Sequence, residues 1–98
     1  MSKLKHIIQE GLIYFVTTTV QKRQQLFLDS DSSKIVIGVL QELHNKKLFE
    51  LYAFVLMPDH LHLILKPTGM PLSSIMKNLK GKSSRLINRH RQTHGGLW

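Results

Sequence analysis

The run Leu12-Ile13-Tyr14-Phe15-Val16-Thr17-Thr18-Thr19-Val20 is dense in β-branched and aromatic side chains, so it predicts a first strand. Asp29-Ser30-Asp31-Ser32-Ser33 then offers several residues suited to capping a helix start. Val36, Val39, Leu40 and Leu43 recur at helical spacing and predict a helix over about 33–47. Lys46 and Lys47 suit its C-terminal end, where the helix dipole favours cations. Apolar runs at 51–57 and 61–66 predict two further strands. Only Pro58, Asp59 and His60 separate them, which implies an antiparallel hairpin. After a loop at 67–71, Leu72, Ile75, Met76, Leu79, Leu86 and Ile87 form a helical stripe, with Ser83 small at its middle and Gly81 a weak point. Gly95-Gly96 ends this helix.

The predicted order is β-α-β-β-α. Two helices on one face of a small antiparallel sheet form an α+β, two-layer sandwich, and this order is the ferredoxin-like one with its last strand missing or short. Leu97 and Trp98 are candidates to begin that strand. A chain of 98 residues has room for one domain, and 42% hydrophobic with 20% charged residues is ordinary globular composition. The absence of cysteine excludes a disulfide framework, a thiolate zinc site and cysteine catalysis. No apolar run approaches the roughly 20 residues of a membrane span. Lys3, Lys5 and His6 are not followed by a continuous apolar stretch, so no cleavable leader is expected and the cytoplasm is the expected compartment.

Charge changes the picture. Residues 1–65 hold seven basic and six acidic side chains, whereas residues 66–98 hold Lys66, Lys77, Lys80, Lys82, Arg85, Arg89 and Arg91 and no acid. Nearly all of the net +8 therefore lies in the last third, as on a polyanion-binding surface or on a solvated basic helix.

The densest chemistry lies in Met57-Pro58-Asp59-His60-Leu61-His62-Leu63. On a strand, residues i and i+2 share a face about 6.5–7 Å apart, so the imidazoles of His60 and His62 project side by side within reach of one metal ion. Leu61, Leu63 and Leu65 would then face the helices, leaving the histidines on the open face. Spacing alone fits a pair of exposed strand histidines as well as a metal site. His90 and His94 have helical i, i+4 spacing beside Arg89 and Arg91 and read as solvated. Tyr14 and Tyr52 sit in apolar strands and read as core residues rather than nucleophiles. Asp59 reads as a turn former more than a neighbour of the metal. No Gly-rich phosphate loop and no Ser/His/Asp pattern is present.

These residues resemble the single-tyrosine HUH transposases of the insertion-sequence and REP-associated type. His60-Leu61-His62 looks like the family's His-hydrophobic-His motif, set in its Met-Pro-Asp-His-x-His-Leu hairpin. Tyr14-Phe15-Val16-Thr17-Thr18, then Arg23 and Leu26-Phe27, look like the family's first strand and the segment after it. Leu79-Lys80 and Ile87-Asn88 resemble its post-motif helix, and Leu97-Trp98 the tryptophan ahead of its C-terminal part.

The resemblance implies that His60 and His62 hold a divalent metal, Mg²⁺ or Mn²⁺, at a scissile phosphate of single-stranded or hairpin DNA. It also implies attack by a tyrosine on a C-terminal helix. That tyrosine and the third metal ligand would follow Trp98, and neither Tyr14 nor Tyr52 matches their position. The expectation is thus the N-terminal and central part of a strand transferase and single-strand endonuclease, binding DNA but inactive alone. Lys77, Lys80, Lys82, Arg85, Arg89 and Arg91 are its candidate phosphate contacts. An unpaired sheet edge makes a homodimer a further expectation. The alternative is a non-catalytic RNA-binding module on the same fold, which would want exposed aromatics where the open face is expected to carry histidines. A protein-interaction domain with a basic helix is the third reading, and nothing in the sequence favours it. Metal dependence of nucleic-acid binding separates the first from the other two.

Overall fold

A computed structural model describes residues 11–98; the expectation about a leader rests on residues 1–10, which lie outside them. The elements run β1 (Tyr14–Thr19), α1 (Ser30–Asn45), β2 (Phe49–Met57), β3 (His60–Pro67) and α2 (Leu72–Arg91), with two short 3₁₀ turns, Gln21–Arg23 and Leu26–Leu28, between β1 and α1. The sheet order is β1-β3-β2, with both pairings antiparallel. This is the α+β, ferredoxin-like arrangement expected, with the last strand of the chain in the centre. No helix among the described residues is long and apolar enough to cross a membrane.

Strand β3 organises the molecule because it alternates cleanly. Leu61, Leu63 and Leu65 are buried, while His60, His62, Ile64 and Lys66 face the other way. The leucines meet Val36, Val39, Leu40 and Leu43 of α1 and Ile75, Leu79 and Ile87 of α2 in one core. Helix α1 starts at Ser30, earlier than the apolar spacing implied, because Asp29 already accepts from the Ser33 N–H through its carbonyl (3.1 Å). Helix α2 runs unbroken through Gly81. It ends at Gln92, which takes a left-handed conformation (φ 57°).

Three expectations are corrected. Leu12 and Ile13 are exposed and precede β1 rather than belonging to it. Leu97 and Trp98 form no strand. Instead the Leu97 carbonyl accepts from the Gln21 N–H (3.0 Å), and the indole of Trp98 packs 5.4 Å from the Phe27 ring and donates to the buried Ser83 hydroxyl (3.0 Å). Tyr14 and Tyr52 are not core residues either. Tyr14 is half-buried, and Tyr52, the extra residue of a β-bulge between Leu51 and Ala53, is 51% exposed.

Candidate metal and nucleic-acid site

The tight Pro58-Asp59 turn brings β3 back along β2 and sets His60 and His62 half-buried on the open face. Their rings lie 4.7 Å apart, edge to face. Each ring is held at its Nδ1. His60 Nδ1 lies 2.5 Å from an Asp59 carboxylate oxygen, and His62 Nδ1 lies 2.9 Å from the Thr17 hydroxyl across the β1–β3 pairing. Opposite a carboxylate, His60 Nδ1 carries the proton and donates. The Thr17 oxygen accepts equally well, so His62 can take the same tautomer. Both rings then present the Nε2 lone pair, the arrangement in which metal-ligating imidazoles are oriented by their surroundings.

Asp59 therefore does more than make the turn. Its second carboxylate oxygen accepts from Arg23 Nε at 3.0 Å. The hydrogen bond with His60, helped by the Arg23 charge, holds the carboxyl below its ordinary value against the opposing cost of desolvation. Lys22 and Arg23 occupy consecutive left-handed conformations (φ 57° and 52°), each costing about 1–2 kcal/mol for a side-chain-bearing residue. That turn delivers the guanidinium to Asp59. Among the described residues no third His, Asp or Glu joins the pair as a metal-binding group.

Beside the histidines the open face is apolar. A shallow slot of about 230 Å³ is lined by Phe15, Ala53, Phe54, Val55, Ile64 and His62. Phe15 is 75% exposed. The expectation that this face carries histidines in place of an exposed aromatic is thus corrected: it carries both.

The candidate phosphate contacts lie elsewhere. Helix α2 packs on the other side of the sheet, so its solvent-facing cations are across the molecule from His60 and His62. Lys77, Lys80, Arg85 and Arg89 are exposed there, with no acidic partner among the described residues. Lys82 is different: its Nζ sits 2.6 and 2.5 Å from the two carboxylate oxygens of Glu42, tying α2 to α1. Arg91 donates to Asp29 at 3.3 Å. Lys46, Lys77, Lys82 and Arg85 line an open groove of about 650 Å³ between the helices.

One cluster escaped the sequence altogether. His90 Nε2 lies 3.5 Å from Asp31 and 3.9 Å from Asp29, joining the end of α2 to the start of α1. The ligand atoms of these three residues lie within 4.8 Å of one another. His94 lies beyond the helix, so the i, i+4 pair with His90 does not form. Tyr52 donates to Glu50 at 2.8 Å, and that bond raises its hydroxyl pKa, the opposite of what a nucleophile needs.

Fold and site together define a class: a ferredoxin-like α+β protein whose hairpin displays two oriented imidazoles on the open face of its sheet. The chain belongs to the IS200-like transposase family, whose model matches residues 8–98. It is similar to a crystallised candidate transposase from Deinococcus radiodurans R1, at 26% identity and a TM-score of 0.71, over 89% of this chain and 72% of that one. It shares its fold with a REP-associated tyrosine transposase solved bound to a REP hairpin, at 21% identity and a TM-score of 0.73, over 91% of this chain and 52% of that one. No curated protein matches.

Proposed function

We propose that this chain engages single-stranded or hairpin DNA as part of a transposase and binds a divalent cation through Nε2 of His60 and of His62. The observation that carries the reading is the pair of locked rings, each held at Nδ1, by Asp59 and by Thr17. Two imidazoles favour Mn²⁺ over Mg²⁺, because nitrogen donors bind first-row metals in preference to hard ions that demand oxygen. When bound, the ion would supply Lewis-acid polarisation of a DNA phosphate. The chain's own residues orient that site. Asp59 holds the His60 ring, Arg23 fixes Asp59, and Thr17 holds His62.

Neither tyrosine serves as nucleophile in this reading. Tyr52 is engaged by Glu50 at the bulge, and Tyr14 pairs with Leu65 on the register facing away from the histidines. The hairpin carried by the REP-associated relative supports DNA as the partner. Lys77, Lys80, Arg85 and Arg89 supply the sequence-independent phosphate contacts. A second copy of the chain is the further partner, because β1 and β2 are the outer strands of the sheet.

The test is a Mn²⁺ titration followed by imidazole NMR, with labelled single-stranded DNA present and absent. His60 and His62 should broaden ahead of His44 and His94, DNA should bind, and no covalent protein–DNA band should form. Equal broadening of all four rings would remove the metal assignment. A covalent band lost in Tyr14→Phe or Tyr52→Phe would return the nucleophile to the sheet.

A further inference from the structure

We propose that the apolar slot beside the histidine pair holds one unpaired nucleobase of the DNA strand, with Phe15 as its stacking surface. The inference rests on the DNA-acting reading above and deepens it by assigning a base-binding subsite to the same face. A ring left 75% exposed in a slot it shares with Val55, itself 51% exposed, marks a surface built for contact.

The slot is continuous with the histidine site. His62 forms part of its wall and is its one polar lining side chain. Phe15 pairs with Ile64, two residues from His62 on the same strand face, which places it about 7 Å along the sheet. An occupant must therefore offer a flat apolar face and be joined within that distance to a group held at the histidines. A nucleotide does both, with its phosphate at the imidazole pair and its base on the phenyl ring.

Charge points the same way. The unpaired cations of α2 sit across the sheet, and on this face Arg23 is tied to Asp59 and Lys66 to Glu50, so DNA here gains little from lysine or arginine. Stacking is the remaining source of affinity, and every base has a π-face to offer. At about 230 Å³ the slot is below the 300–1,000 Å³ of whole small-molecule sites. It suits one ring system better than a helix 10–12 Å across. With His62 engaged by Thr17, the walls offer almost no hydrogen-bond readout, so the subsite should tolerate any base.

The experiment compares, in Mn²⁺, a short thymidine oligonucleotide with a base-free abasic backbone of equal length and charge. Wild-type chain should bind the base-bearing strand about tenfold more tightly. Phe15→Ala should bring that ratio close to one, and Phe15→Trp should restore it. Affinity for the abasic backbone and its salt dependence should be the same in all three proteins. A ratio unchanged by Phe15→Ala overturns the subsite and leaves the DNA-acting reading intact. So does a Phe15→Ala chain that loses both ligands equally, because the residue is then structural. An unchanged ratio with altered sedimentation would overturn it in favour of a protein partner. A wild-type chain that binds neither strand removes both readings.

Discussion

Asp59 and His60 are neighbours in the chain and partners through their side chains, with the carboxylate 2.5 Å from Nδ1 of the ring. Adjacent strand residues normally point to opposite faces. The contact exists because Asp59 belongs to the turn, free of the strand's alternation, and because Arg23 holds its other oxygen. Asp59→Asn keeps the shape and removes the charge. It should weaken Mn²⁺ binding at the histidine pair about 10–100-fold, as outer partners of metal-ligating imidazoles do. Calorimetric titration of both proteins measures the ratio, and equal affinities would show that the carboxylate only builds the turn.

Four exposed, unpaired cations on α2 set the expected salt dependence of DNA binding. If Lys77, Lys80, Arg85 and Arg89 each neutralise one phosphate, log K should fall with log[salt] at a slope of roughly −3 for a single strand. The double reversal Lys80→Glu with Arg85→Glu should flatten the slope and weaken binding across all sequences. Lys82→Met should change it little, because Glu42 already engages that ammonium. Anisotropy at several salt concentrations separates the three proteins.

The Lys82–Glu42 pair makes stability depend on pH in a definite direction. The Lys82 hydrogen bond holds the Glu42 carboxyl below its ordinary value in the folded chain. The folded state thus binds a proton less readily than the unfolded one, and the contribution is complete above the unfolded value of about 4.3. It is lost as pH falls through the lowered folded value. Wild type should melt above Glu42→Gln at neutral pH, and the gap should close below about pH 4. A gap that persists in strong acid would assign the difference to packing.

Ser83 is fully buried, donates to the Leu79 carbonyl (2.6 Å) and accepts from the Trp98 indole. Ser83→Ala leaves that N–H without its acceptor, at a cost of about 1–3 kcal/mol. The midpoint of thermal unfolding should drop by at least about 4 °C. The emission of the single tryptophan should move as its environment opens. Unchanged melting would show that solvent replaces the hydroxyl.

The legible parts of the sequence were those with one clear period. In β3 the histidines alternate with leucines, so the open and buried faces are readable from the sequence. The apolar positions of α1 and α2 likewise marked their inward faces. Strand β2 was different, because Phe-Glu-Leu-Tyr-Ala-Phe-Val-Leu-Met is apolar almost throughout and no period assigns its faces. The bulge at Tyr52 then shifts the phase, carrying Val55 and Met57 into register with His62 and His60. A one-residue shift of that kind leaves no mark in composition, so the apolar slot was invisible. The ties between Lys82 and Glu42 and between His90 and Asp31 join residues far apart in the chain. Only the packing of one helix against the other brings them together.

For the DNA strand proposed as the substrate, the separation of histidines from helix cations would act as a ruler. The molecule measures 20 Å across its shortest axis. Nucleotides stacked as in a duplex strand advance about 3.4 Å each, so spanning a length equal to that thickness would take about six of them. Oligonucleotides shorter than that can occupy one face or the other, and two short strands should bind together without competing. On the proposed reading, length more than sequence would then decide whether the two surfaces grip one DNA molecule or two.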